Sequence, residues 1–184
     1  MMILKVNFCI ISVNNILRVY KGNLLAQNNK IIPQSTEVLI FLRRMKKSKQ
    51  DNYNNSVEKL IQQNPEKKFT VAILESAKED AHNDALIRSW AKKFNNVTTF
   101  SPIFNPLELY SEFMEGASYC VVAPQYHVII TAHAAGISFM PIVYDNKVRQ
   151  VLQEINPTVE PYSIETLKTE DIQLFIDQEH KRVI

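Results

Sequence analysis

The sequence predicts an α/β protein, a Rossmann-like parallel sheet with helices on both faces. Three observations carry this expectation. Short apolar runs recur along the chain, among them EVLIFL at Glu37–Leu42, FTVAIL at Phe69–Leu74 and YCVVA at Tyr119–Ala123. Stretches with apolar residues at helical spacing separate them, the alternation from which βαβ units are built. The runs also lack polar alternation, as strands do when helices cover both faces.

Residues 3–13 and 15–20 read as strand material, with Lys21-Gly22-Asn23 as a turn between short strands. Polar Gln27–Thr36, holding Pro33, is a connection, so residues 1–36 form a β-rich segment ahead of a Rossmann-like domain over 37–184. Glu37–Leu42 is a buried strand ending at Arg43 and Arg44. Met45–Asn55, rich in Lys, Asn and Ser, reads as a loop, and Ser56 as the cap of a short helix reaching Gln63 before Pro65. Phe69–Leu74 is the next strand. A helix over Glu79–Phe94 follows, with Ala85, Leu86, Trp90 and Phe94 at helical spacing, and then a short strand at Val97–Phe100.

Asn105 caps a helix with Pro106 at its first position, running to Met114 and closed by Gly116. Tyr119–Ala123 is a strand, Gln125–Ala135 a helix ended by Gly136, and Phe139–Tyr144 the following strand. Asp145 caps a helix from Asn146 to about Ile155, which Asn156-Pro157 breaks. A last helix occupies about Lys168–Glu179.

Length and composition narrow the function classes. At 184 residues the chain can bury a full core, and 46% hydrophobic with 22% charged residues is ordinary for a globular protein. A net charge of +2 and the lack of a basic, aromatic-interleaved stripe argue against nucleic acid. The KKSK run at Lys46–Lys49 reads as a solvated loop. Cys9 and Cys120 lie in apolar runs and read as buried free thiols of a reducing compartment. Lys5 and Asn7 interrupt the apolar start, no cleavage site follows, and no apolar run reaches the length of about 18 residues a membrane span needs. A cytoplasmic protein without a membrane span is expected. With 3 glycines there is no G-x-G-x-x-G fingerprint and no phosphate-loop motif, so no cofactor is expected.

The chemistry-bearing residues fall at strand carboxyl ends, where open α/β sheets place ligand crevices. His127 lies in the first turns of the helix after YCVVA. There the helix dipole favours anions, and a neutral imidazole could transfer a proton near neutral pH. The same spacing allows a histidine packed on the sheet and satisfied by a backbone carbonyl. Lys147, after Asp145-Asn146, stands at a helix start where the dipole disfavours a cation; it is either a site residue or a solvated lysine. Arg43 and Arg44 could grip a carboxylate or phosphate through two parallel hydrogen bonds, or belong to the basic loop beside them. His133 reads as structural, His82 and His180 as surface residues. No metal is expected, because the histidines do not pair at i, i+4 and no carboxylate cluster has ligand spacing. No G-x-S-x-G elbow exists, and Cys120 lies inside a strand.

The text PQYHVIITAHAAGISFMPIVYDNKVRQVL, preceded by SPIFNPLELYSEFMEGASYCVVA and EVLIFLRR, resembles the C-terminal half of polysaccharide pyruvyl transferases over about residues 37–155. That family carries an arginine-aliphatic-histidine motif on a helix, a Gly-(Ile/Val)-Pro-like segment and strand, and a Tyr-Asp-Pro-Lys-Val-like turn. Here Gln125 stands in the arginine position, Tyr126 in the aliphatic one and Asn146 in the proline one. The resemblance implies a GT-B-like fold with its site between two Rossmann-like halves, the N-terminal half lost or supplied as a separate chain. It implies transfer of a pyruvyl group from phosphoenolpyruvate to a saccharide acceptor as a cyclic ketal. His127 would be the acid/base and Arg43 a second catalytic group. Lys147, Arg44, Gln125 and Asp145 would bind substrate. Two other classes remain open: a GT-B glycosyltransferase with a nucleotide-sugar donor, and a non-catalytic glycan-binding remnant. Glu108, Glu112 and Glu115, where a nucleotide-sugar enzyme would keep a carboxylate pair, are spaced like the outer face of a helix.

Overall fold

The computed structural model describes residues 35–76, 78–100, 109, 113, 119–158 and 160–183. Expectations for residues 1–34 lie outside these, as does most of the helix expected over 105–114. Leu109 and Phe113 are both helical and both buried.

Among the described residues six strands form one parallel sheet: β1 (Val38–Leu42), β2 (Phe69–Ile73), β3 (Val97–Phe100), β4 (Cys120–Ala123), β5 (Phe139–Val143) and the two-residue β6 (Tyr162–Ser163). Their spatial order is β3-β2-β1-β4-β5-β6. The chain thus builds outward from β1 in one direction, returns, and builds outward in the other. The reversal lies between β1 and β4, the switch point at which a doubly wound sheet opens a crevice beyond its strand carboxyl ends. The fold is Rossmann-like, as the alternation of elements predicts.

The described helices are α1 (Lys47–Gln63), α2 (Ala81–Lys93), α3 (Tyr126–Ala135), α4 (Asn146–Ile155) and α5 (Thr169–Val183). Alternate side chains of β1 go to opposite faces, the two-residue period of any strand. Val38, Ile40 and Leu42 join Tyr53, Val57 and Leu60 of α1, Trp90 of α2 and Ile172 of α5. Leu39 and Phe41 join Leu109, Phe113 and Val128 and Ala132 of α3. A third cluster seals α3 to α4 through Ile129, Val148 and Leu152. Every residue of β1 and β2 is buried, which explains why these strands read as unbroken apolar runs.

Three boundaries differ from the sequence expectation. Helix α1 begins at Lys47, so most of Met45–Asn55 is helical and Ser56 is a buried mid-helix residue, not a cap. Its polar residues hold it by tertiary bonds. Gln50 Nε2 and Asn54 Nδ2 donate to Asn83 Oδ1, and Asn52 Nδ2 donates to the carbonyls of Ile164 and Leu167. Helix α2 is capped by Asp80, which accepts from Asn83 N at 3.3 Å. Helix α5 runs on to Val183. At the other end of α3, Gly136 adopts φ 72°, and its N–H reaches the carbonyls of Ala132 and His133. Glycine takes that left-handed conformation without the steric cost other residues meet.

Candidate active site

Arg43 continues the alternation of Leu39 and Phe41, which favours the α3 side of the sheet for its guanidinium. The Cζ atom stands 4.8 Å from the centroid of the Tyr144 ring. The Nη1 atom lies 3.9 Å from Glu75 Oε1, a loose ion pair at the end of β2. Both members keep a buried atom, Arg43 Nε and Glu75 Oε2, with no hydrogen-bond partner among the described residues. Arg44 is committed elsewhere. Its Nη1 donates to the carbonyl of Glu79, just before α2, at 2.8 Å. Of the two arginines, Arg43 belongs to the cluster.

His127 occupies the first turn of α3, half-buried, its ring centroid 3.7 Å from that of Tyr126. Burial lowers its pKa first, and the positive charges of Lys147 and Arg43 lower it further, to about 4. Lys147 starts α4, exposed, with Nζ 3.7 Å from the centroid of the Tyr126 ring. The negative face of that ring offsets the unfavourable end of the helix dipole. Arg43, His127 and Lys147, at the ends of β1, β4 and β5, therefore share one rim.

Gln125 and Asp145 support the rim from within the fold. Gln125 is fully buried at the start of α3. Its Nε2 donates to the carbonyl of Leu42 at 2.7 Å, which ties the end of β4 to the end of β1. Its Oε1 has no partner among the described residues. Asp145 accepts from Val148 N at 2.9 Å, capping α4 and presenting Lys147 two residues later. Burial raises the Tyr144 hydroxyl to about 12, and its hydrogen bond with Asp145 adds to this. Cys120 is buried in β4, and burial pushes its thiol up to about 12, leaving it a poor nucleophile. His82 and His133 are exposed.

Sequence reasoning passed over Glu75, Tyr126 and Tyr144 as site residues. Glu75 follows a buried strand just as Arg43 does, so the rule that found the arginine would also have found the carboxylate. The tyrosines carried no such signal, because an aromatic beside a strand end usually packs. Together the rim offers two cations, one neutral imidazole and a carboxylate. That set suits a small ligand with more than one negative charge and a proton to gain or lose. Among the described residues no three His, Cys, Asp or Glu side chains are grouped to hold a metal ion. None of their helices is long and apolar enough to cross a membrane. No family model matches the chain, and no curated protein matches it.

Proposed function

We propose that this chain is a polysaccharide pyruvyl transferase-like protein that takes phosphoenolpyruvate at the rim of β1, β4 and β5. It would transfer the pyruvyl group to a pair of sugar hydroxyls, closing a cyclic ketal. What supports the reading is the meeting of Arg43, His127 and Lys147 across the switch point, in the order in which the resembling text carries them.

Phosphoenolpyruvate brings a carboxylate and a phosphate. These would lie against Arg43 and Lys147 and offset the two charges that lower the proton affinity of His127. The imidazole then takes up a proton and delivers it to the methylene carbon, which becomes a methyl group. The adjacent carbon turns cationic, and the first sugar hydroxyl adds to it, passing its proton back to His127. The carbon–oxygen bond to phosphate breaks, with its electron pair leaving on phosphate. The second hydroxyl closes the ring, and its proton ends on phosphate. One hydroxyl proton thus replaces the one spent on the methyl group, and the other leaves with the product phosphate. Arg43 stabilises the departing charge. Gln125 and Asp145 act through the backbone they hold.

Thermal unfolding with candidate donors tests the reading. Phosphoenolpyruvate should raise the melting temperature. A nucleoside diphosphate doing so instead would replace the reading with a nucleotide-sugar transferase, and neither doing so would leave a non-catalytic surface. His127→Ala should abolish turnover while leaving the fold intact.

A further inference from the structure

We propose that Tyr126 is a positioning residue, whose ring holds the Lys147 ammonium at the start of α3 within electrostatic reach of His127. Two contacts carry this. The Tyr126 centroid lies 3.7 Å from the His127 ring centroid and 3.7 Å from Lys147 Nζ. No ion pair to a carboxylate is seen for Lys147 among the described residues, although Asp145 lies two positions away; that carboxylate caps α4. A ring fixes a cation without neutralising it. A carboxylate in its place would compete with an anionic ligand for the same charge. Arg43 also rests on a ring, that of Tyr144 at 4.8 Å, but it has the Glu75 carboxylate 3.9 Å away as well.

Tyr126 on its own helix, Lys147 on α4 and Arg43 after β1 act on His127, and Arg43 in turn meets Tyr144 after β5 and Glu75 after β2. After burial, the charges acting on the imidazole are those of Lys147 and Arg43. Moving Lys147 away therefore makes His127 easier to protonate. The consequence for catalysis rests on the pyruvyl-transfer reading, since a tethered ammonium keeps the imidazole neutral until the ligand's own charge arrives. A slack lysine would raise the proton affinity of the ligand-free imidazole and so shrink the change that the ligand's charge brings.

Proton and carbon NMR of the ligand-free full chain tests this. In the native protein, ring current should move the Lys147 ε-methylene protons upfield. Tyr126→Phe should keep that displacement and the His127 titration midpoint, whereas Tyr126→Leu should erase the first and raise the second by about one pH unit. Lys147→Met should raise the midpoint in the native background and add nothing to Tyr126→Leu. Equal effects in both backgrounds, or an undisplaced ε-methylene in the native chain, would overturn the proposal. The native spectrum decides even if Tyr126→Leu fails to fold. No ligand is used, so failure of phosphoenolpyruvate to bind removes the functional reading and leaves this result untouched.

Discussion

His127 ties the chemistry of the rim to the stability of the fold. Its pKa of about 4 lies below the ordinary 6.5, so between these values the unfolded chain binds a proton that the folded chain does not. Its contribution to stability is therefore complete above about pH 6.5 and lost as pH falls toward 4. Because water reaches part of the ring, the loss is discounted to roughly 1–2 kcal/mol. Melting curves across that window should show the native protein weakening more steeply than His127→Gln. Both His127 and Arg43 were legible in the sequence, because each follows an apolar run where a parallel sheet ends. The choice of Arg43 over Arg44 came from the resemblance and not from the residues themselves. It depends on which face each residue takes, and on Glu79 offering its carbonyl to Arg44.

Helices α3 and α4 each begin where a rim residue is needed, and their starts are built differently. The Asp145 carboxylate caps α4, whereas Gln125 gives α3 no side-chain cap and reaches across to β1 instead. Asp145→Ala should cost about 1 kcal/mol in denaturant unfolding, with Asp145→Asn retaining most of it. The element misread from sequence was the first half of α1. Ser48, Asp51, Asn52, Asn54 and Asn55 are weak helix formers, so local propensity pointed to a loop. What overrides it is remote: Asn83, Ile164 and Leu167 supply bonds from 29 to 115 residues away. Lys49, from the same basic run, pairs with Glu165 at 2.8 Å and donates to the Tyr144 carbonyl at 3.2 Å. Strand β6, two residues long, is too short to leave a pattern. It pairs only with Ile142 and Val143, so Pro141 of β5, which has no N–H to donate, sits outside that ladder.

Across the whole molecule, alternation of apolar runs and helices made the parallel sheet legible, but the strand order was not. Nothing local in β4 says that it pairs with β1 rather than β3. That choice makes the rim, because it sets Arg43 beside the helix of His127. The same pairing is short. Strands β1 and β4 are in register only from Val38–Cys120 to Ile40–Val122, while β1 continues to Leu42. Beyond that point Tyr53, reaching up from α1, donates to the carbonyls of Phe41 at 3.1 Å and Val122 at 3.4 Å. Tyr53→Phe would remove this buried hydrogen bonding and should lower stability by about 1–2 kcal/mol, read from denaturant midpoints. A phenol from one side and the Gln125 amide from the other thus bridge the two strands where their own ladder ends. The rim is therefore set by folding itself, so a guest should enter in a single bimolecular step, its observed rate rising linearly with concentration and reaching no plateau set by a slow rearrangement of the host.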